Sequence, residues 1–88
     1  MDHNEIRLKR LQMRANRRGM KEMDVVLGGF ALRNLNDLTA QQLDLFEAIL
    51  DAPDQDILNW VLNRAAPPAD WADFVAQIAR DAQAHARD

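Results

Sequence analysis

The chain has 88 residues, of which 48% are hydrophobic and 28% charged, with three glycines, three prolines and no cysteine. This length and composition predict one globular domain and exclude global disorder, disulfide bridges and thiolate metal sites. The net charge of −3 is unevenly distributed, because residues 1–22 carry +4 and residues 23–88 carry −7. Such a polarised chain indicates an oriented surface for a charged partner.

The first predicted helix covers about residues 4–17, with Leu8, Leu11 and Ala15 on one narrow apolar stripe and arginines on another face. Gly19 follows this helix. A glycine in that place is typical of a helix C-cap, because glycine enters the left-handed conformation without steric cost. We therefore expect Gly19 to end the first helix in that conformation.

The second predicted helix covers about residues 20–32. Glu22 is expected near its third position, where the side chain can reach back to a free backbone amide. Gly28-Gly29 interrupts the helical pattern, and each glycine costs up to about 1 kcal/mol in a helix interior. The pair predicts either the close approach of another element or an end or kink of the helix. The expected inner face carries Met23, Val26, Leu27 and Phe30.

The third predicted helix, at about residues 40–51, has the clearest start of the five. Thr39 and Gln42 match a capping box, in which each side chain bonds the backbone amide of the other residue. Leu38 and Leu43 stand at the two positions of a hydrophobic staple, which fixes the angle at which the chain enters the helix.

The fourth helix is predicted over about residues 54–63, with Asp54 or Ala52 as its cap. The fifth is predicted over about residues 71–85, with Asp70 as its cap, after a stiff connector that contains two prolines.

Together these elements predict an all-α protein, a compact five-helix bundle that forms a single domain over residues 1–88. No stretch approaches the roughly 20 apolar residues of a membrane-spanning helix. The acidic N-terminus lacks the apolar segment of a secretory signal and does not resemble a mitochondrial presequence. We expect a bacterial cytoplasmic protein that does not insert into membranes and is monomeric when free.

Side chains that perform catalysis are scarce in this sequence. There is no cysteine, serine or tyrosine, and the two histidines, His3 and His85, stand at opposite ends without ligand-spaced companions. Most aspartates of the second half cluster at predicted helix starts, where a carboxylate caps free amides. The sequence therefore predicts a protein that is not an enzyme, with no catalytic residue and no metal site.

The basic first helix admits three classes of partner. Nucleic acid is disfavoured, because the rest of the chain is acidic and residues 1–22 contain no aromatic side chain for base stacking. A membrane surface is disfavoured, because the apolar stripe lacks bulky aromatic residues. An acidic protein surface fits best, although the arginines are equally typical of a solvated helix face.

The turn between the first two helices carries the most distinctive motif. The segment Arg18-Gly19-Met20-Lys21-Glu22-Met23-Asp24 resembles the Arg-Gly-x-x-Glu signature of the succinate dehydrogenase flavinylation (assembly) factor family. The similarity covers residues 7 to about 62. It continues through Gly28 and Phe30, through Leu43, Phe46, Ile49 and Leu50, and through Pro53-Asp54-x-Asp56-x-Leu58-x-Trp60, while Lys21, Met23 and Gly29 depart from the commonest pattern.

This resemblance implies both a fold and a function. Members are five-helix bundles that bind the flavoprotein subunit of succinate dehydrogenase, or of fumarate reductase in some bacteria, and promote covalent attachment of FAD to one of its histidines. The chain itself is then expected to bind no cofactor stably, because FAD belongs to the partner. The residues implied in partner binding are Arg18, Gly19 and Glu22, with Arg14, Arg17 and Asp24 as their neighbours.

Two alternatives from other functional classes stay open at the level of the sequence. One is a nucleic-acid-binding or antitoxin-like regulator that uses the basic helix, and it predicts strongly salt-dependent binding to DNA or RNA. The other is a constitutive adaptor subunit, in which an exposed Trp60 or Leu62 packs on a permanent partner.

Overall fold

The structure, a computed structural model, describes residues 2–85. These residues form five α-helices and no β-strand, which confirms the predicted all-α five-helix bundle. They pack as one compact body with principal extents of 40 × 30 × 23 Å. The helices are α1 (His3–Asn16), α2 (residues 21–34), α3 (Ala40–Leu50), α4 (Asp54–Val61) and α5 (Ala72–Ala84), with short 3-10 turns at Leu35–Asp37 and Ala69–Trp71.

Three phenylalanines from different helices meet at the centre of the bundle. Phe30 of α2 lies 5.7 Å from Phe46 of α3 and 5.6 Å from Phe74 of α5, measured between ring centroids. Burial of each ring contributes about 1.5–3 kcal/mol of hydrophobic stabilisation, so this trio joins the three helices into one core. The surrounding core residues include Leu11, Met23, Leu27, Leu43, Ile49, Leu50, Ile57, Val75 and Ile78.

Helix α2 has a wide turn in its middle. Residues Asp24–Gly28 form a π-helical turn between the α-helical segments Lys21–Met23 and Gly29–Asn34. The two glycines therefore do not end the helix, which runs beyond the predicted end at residue 32. π-Helical turns inside α-helices are uncommon and often mark functional regions.

Gly28 lies where helices α1 and α2 approach each other closely. A Cβ atom added to Gly28 would stand 2.2 Å from Oδ1 of Asn16. The Nε2 of Gln12 donates to the Gly28 carbonyl oxygen at 3.2 Å. Of the alternatives that the sequence left open for Gly28-Gly29, the close approach of another element is the correct one.

The helix starts confirm one capping prediction and correct two others. The capping box is present, with reciprocal hydrogen bonds of 3.0 and 3.1 Å between Thr39 and Gln42. The prediction that Asp54 or Ala52 caps α4 was wrong, because Pro53 occupies the N-cap and Asp54 is the first helical residue. The side chain of Asp54 is directed to the turn before α2 instead.

The start of α5 also differs from its prediction. Asp70 lies in the 3-10 turn Ala69–Trp71, and Trp71 occupies the N-cap without a side-chain hydrogen bond. Trp71 is half-buried and meets Trp60 edge-to-face at 5.8 Å, so the two rings hold the connector between α4 and α5. Because the 3-10 turn contains Asp70, the α-helix begins two residues later, at Ala72. No helix among residues 2–85 is long and apolar enough to cross a bilayer.

Candidate functional site

The turn between α1 and α2 occupies residues 17–20 and adopts no left-handed conformation. Arg17 is the C-cap of α1, and Met20 is the extended N-cap of α2. Among residues 2–85 the only residue with a left-handed φ is Asn63, at 60°, just after α4. The prediction that Gly19 ends α1 as a left-handed cap was therefore wrong. An extended connection with its own hydrogen bonds replaces the cap.

Asp54 supplies those hydrogen bonds from the start of α4. Its Oδ1 accepts from Nε of Arg18 at 2.7 Å, and its Oδ2 accepts from the backbone N–H of Gly19 at 2.9 Å and of Met20 at 3.3 Å. One carboxylate thus satisfies two free amides and one guanidinium. Because charge-assisted hydrogen bonds are stronger than neutral ones, Asp54 is the principal anchor of the turn.

The guanidinium of Arg18 donates hydrogen bonds to three residues. Besides Asp54, its guanidinium donates to the carbonyl oxygen of Leu50, the last residue of α3, at 2.7 Å and to that of Ala52, just after the helix, at 3.1 Å. The side chains of Arg18 and Asp54 are only 12% and 16% exposed. Arg18 therefore acts within the fold, where it joins the turn to the α3–α4 connection, and presents little of itself to a partner.

Asp24 supports the same turn from within α2. Its Oδ1 accepts from the backbone N–H of Arg18 at 3.3 Å. Two carboxylates, Asp24 and Asp54, therefore hold the backbone of residues 18–20 from both sides of the connection. The geometry gives Asp24 a supporting position in the turn.

Gly19 of the turn and the first two residues of α2, Lys21 and Glu22, form an exposed edge. A Cβ atom on Gly19 would stand 3.6 Å from Oδ2 of Asp54, which is an ordinary contact distance, so the fold itself has room for a side chain there. The prediction that Glu22 reaches back to an amide of α2 was wrong, because Glu22 is the second helical residue and the backbone N–H of the N-cap residue, Met20, donates to Asp54 instead. Within the described part of the chain, Lys21 and Glu22 have no ion pair.

A series of ion pairs lines α1 against α3. Arg7 pairs with Asp44 at 2.7 Å and with Glu47 at 3.3 Å, and Arg14 pairs with Asp51. Arginines later in the sequence pair with carboxylates later in the sequence, and the series ends with Arg18 and Asp54. The hydrogen bond to Asp44 raises the pKa of Arg7 further above its ordinary value.

Arg10 of α1 and Arg17, the C-cap residue of that helix, are not among these paired arginines. Both are exposed, and neither forms an ion pair with any residue from 2 to 85. The structure therefore divides the arginines of the first helix and its C-cap into a paired group and an unpaired group, a division that composition does not reveal.

The six residues that the sequence proposed for partner binding do not share one environment. Three of them, Gly19, Glu22 and Arg17, are exposed at or beside the turn. Arg14 is half-exposed and ion-paired. Arg18 and Asp24 form hydrogen bonds that hold the turn in place. Sequence reasoning overlooked Asp54 as part of this site, because it read the residue as a helix cap. The Pro53-Asp54 block was the available signal, since it recurs in the same family pattern as the turn.

A second cluster of polar side chains joins the end of α2 to α5. Asp81 accepts two hydrogen bonds from the Arg33 guanidinium and one from the Asn34 amide at 3.1 Å. The Arg33 hydrogen bonds hold the pKa of Asp81 below its ordinary value. His85 lies beside this cluster, and no group of three metal-ligating side chains exists among residues 2–85.

The chain is similar to a known family over most of its length. The family model described as "Flavinator of succinate dehydrogenase" matches residues 9–82, which include the turn, Asp54 and the Asp81 cluster. The chain is 39% identical over 70 residues to "Succinate dehydrogenase assembly factor 2, mitochondrial" of Dictyostelium discoideum, a match that covers 80% of this chain and 50% of the relative.

Two further relatives give similar values. The "FAD assembly factor SdhE" of Acetobacter pasteurianus is 38% identical over 71 residues, or 81% of this chain and 65% of that protein. A mitochondrial succinate dehydrogenase assembly factor 2 of Mycosarcoma maydis is 40% identical over 68 residues, or 77% of this chain and 29% of that protein. The chain thus spans less than two thirds of the length of each of these relatives.

Proposed function

The chain belongs to the family described as flavinators of succinate dehydrogenase, and from that premise we propose that it is an assembly factor for a flavoprotein. In this proposal it binds the flavoprotein subunit of succinate dehydrogenase and promotes covalent attachment of FAD to that subunit. The names of its relatives, which are assembly factors for succinate dehydrogenase or FAD, support this activity. The flavoprotein of fumarate reductase is a second partner within the same proposal.

The observation that carries the proposal is the construction of the turn before α2. The exposed edge of Gly19, Lys21 and Glu22 is fixed from behind by Asp54 and Arg18. A contact surface whose backbone is already ordered loses little conformational entropy when a partner binds. Gly19 leaves a gap between the side chains of the edge, where a partner backbone can approach closely.

The proposed mechanism is alignment of the partner's reacting groups. The chain holds the flavoprotein so that its acceptor histidine and the flavin lie in reacting geometry, and such alignment lowers the barrier without a reacting group from the factor. FAD remains with the flavoprotein. Gly28 and Gly29 lie inside helix α2 and not in a strand-to-helix loop, so they do not resemble a nucleotide phosphate loop.

The proposal includes a free chain that is monomeric and located in the cytoplasm of a bacterium. The match to the Acetobacter factor supports the bacterial part of this assignment, while the other two relatives are mitochondrial by name. Sedimentation equilibrium of the purified chain tests the monomer, and a dimer mass at micromolar concentration would contradict it.

The deciding experiment co-expresses the flavoprotein subunit with variants of this chain in a host that lacks its own factor. Covalent flavin is read as fluorescence of the subunit after denaturing electrophoresis. Glu22→Gln keeps the size of the side chain and removes its charge, so it should reduce covalent flavin about tenfold through loss of one charge-assisted contact. Gly19→Arg should reduce it further, because the new side chain fills the gap in the edge.

Glu5→Gln is the matched control, since Glu5 is an exposed glutamate near the other end of α1. It should leave covalent flavin unchanged. Circular dichroism on each variant must show the helical content of the native chain. Full fluorescence with both Glu22→Gln and Gly19→Arg would show that the turn is not the active surface. A native chain that gives no more fluorescence than an empty vector would refute the proposed function.

The regulator alternative loses its main support in the structure. Arg7, Arg14 and Arg18 are bound to carboxylates of α3 and α4, so the basic helix does not offer a continuous row of cations to phosphates. The adaptor alternative keeps one observation, the exposed Leu62. Co-purification separates it from an assembly factor, because an adaptor stays bound after flavin attachment and an assembly factor leaves.

A further inference from the structure

The exposed face of α1 carries a regular stripe of four residues. Ile6, Arg10 and Met13 follow one another at spacings of four and three, which places them on one side of α1, and Arg17, the C-cap residue, lines the same concavity as Arg10 and Met13. We call this set the outer stripe. Ile6 and Met13 are 41% and 50% exposed, and they are two of the few large apolar side chains that this fold leaves on the surface.

Neither arginine of the outer stripe takes part in holding the bundle together. Arg7 and Arg14, one face away, pair with carboxylates of α3, whereas Arg10 and Arg17 pair with no residue in the described range. Exposed arginines are well hydrated, but their planar guanidinium groups remain available for two parallel hydrogen bonds to a carboxylate. The stripe therefore combines available charge with available apolar surface.

The stripe also borders the turn. Arg10, Met13 and Arg17 line an open concavity of about 300 Å³ together with Arg14 and Arg18. Lys21, which is exposed and unpaired in the described part of the chain, extends the positive charge past the turn into α2. A partner that contacts Gly19 and Glu22 can thus continue along α1 without crossing an acidic side chain of the stripe.

We propose that the outer stripe is a second contact surface for the same flavoprotein, and that it binds an acidic segment whose carboxylates meet Arg10 and Arg17 while its apolar side chains cover Ile6 and Met13. This inference rests on the proposed function. It assigns the occupant by charge, since both charged residues of the stripe are cations, and by the two apolar residues of the stripe, which favour a protein segment over a phosphate backbone.

In this proposal, the outer stripe speeds the encounter with the flavoprotein and orients it on the chain. Charges at the edge of an interface chiefly raise the association rate and the salt sensitivity of binding, because they steer a partner of opposite sign. The turn then provides the specific contact. Separate roles for the two surfaces predict separate defects when each is altered.

The test measures binding of the purified chain to the purified FAD-free flavoprotein subunit by biolayer interferometry. Arg10→Glu/Arg17→Glu should weaken binding at least about tenfold at low ionic strength, mainly through a slower association rate. The difference should shrink at about 0.5 M salt, where the Debye length is only a few ångströms. Ile6→Gln/Met13→Gln should weaken binding less and in a salt-independent way.

Arg64→Glu/Arg80→Glu is the matched control, because both arginines are exposed, lie outside α1 and give the same change in net charge. It should bind like the native chain. Equal loss with the control pair and the stripe pair would overturn the inference, since net charge and not the stripe would then decide. Binding of a random-sequence DNA duplex through Arg10 and Arg17 at physiological salt would also overturn it.

The failure of this inference differs from the failure of the proposed function. A native chain that raises covalent flavin on the subunit, together with a stripe variant that binds normally, rejects the stripe and leaves the function in place. A native chain that neither binds the subunit nor raises its covalent flavin rejects both.

Discussion

Helix α2 is held at each end by one carboxylate from a distant helix, and the two ends differ in what that carboxylate binds. At the start, Asp54 accepts from the Arg18 side chain and from two backbone amides of the turn. At the end, Asp81 accepts only from side chains, those of Arg33 and Asn34. We call these groups the front clamp and the rear clamp.

The difference lies in what each clamp leaves exposed. The front clamp fixes backbone, so the side chains of Lys21 and Glu22 remain free to face a partner. The rear clamp uses the side chains themselves and leaves Asp81 only 12% exposed. The same pairing of arginine with aspartate thus presents a surface at one end of α2 and closes the fold at the other.

The largest expected effect is at the front clamp. Asp54→Ala removes the acceptor of a guanidinium that is only 12% exposed and frees two amides of the turn. Loss of one partner of a largely buried pair should lower the free energy of unfolding by about 2–3 kcal/mol. Urea denaturation measures this loss. Asp56→Ala, an exposed neighbour on α4, is the control, and a comparable loss there would contradict the special role of Asp54.

A smaller effect is expected in the middle of α2, between the clamps. Gly28→Val places a branched side chain where even an added Cβ atom would stand 2.2 Å from Asn16 Oδ1 and 3.7 Å from the Ala15 carbonyl oxygen. Overpacking of this crossing should lower the free energy of unfolding by about 1–2 kcal/mol. Thermal unfolding followed by circular dichroism provides the measurement. If Asn16→Ala does not recover part of the loss in the double variant, the crossing is not its cause.

Loss of the rear clamp in Asp81→Asn should lower the free energy of unfolding by about 1 kcal/mol, and this loss should depend on pH. Because the folded pKa of Asp81 is lowered, its contribution is fully present above the ordinary value of 3.8 and is lost as pH falls through the folded pKa. Asp81→Asn should therefore be less stable than the native chain at about pH 6, and the difference should be smaller at about pH 3. Urea titrations at both pH values test this, and a pH-independent difference would contradict it.

The smallest expected effect on stability is at Gly19. Gly19→Ala meets only an ordinary contact with Asp54 and no left-handed backbone, so the free energy of unfolding should change by less than about 0.5 kcal/mol or rise slightly. Covalent flavin on the partner should nevertheless fall, because the methyl group occupies the gap of the exposed edge. A variant that is clearly destabilised would show that Gly19 serves the fold, as Gly28 does.

Much of the architecture was predictable from local patterns. Apolar periodicity predicted five helices, and the Thr39–Gln42 capping box predicted the start of α3, because both signals involve residues a few positions apart. The wide turn of α2 was not predictable, since an added residue in one helical turn leaves the apolar pattern readable as an ordinary helix.

The candidate site was predictable only as a motif. Asp54 matched a capping pattern, and a carboxylate at a helix start looks the same in sequence whether it bonds its own helix or a turn 35 residues earlier. The separation of paired Arg7 and Arg14 from unpaired Arg10 and Arg17 was equally hidden. It depends on which face of α1 packs on α3, which is a property of the tertiary structure.

The front clamp also links the partner surface to the folding of the whole chain. Arg18 and Asp54 are separated by 36 residues, so their bond requires the chain as far as the start of α4. A chain that has formed α1 and α2 alone carries the turn sequence but lacks the acceptor that orders it. Under the proposed function, recognition by the flavoprotein then requires a finished bundle, and a copy that lacks α4 should not compete for the partner.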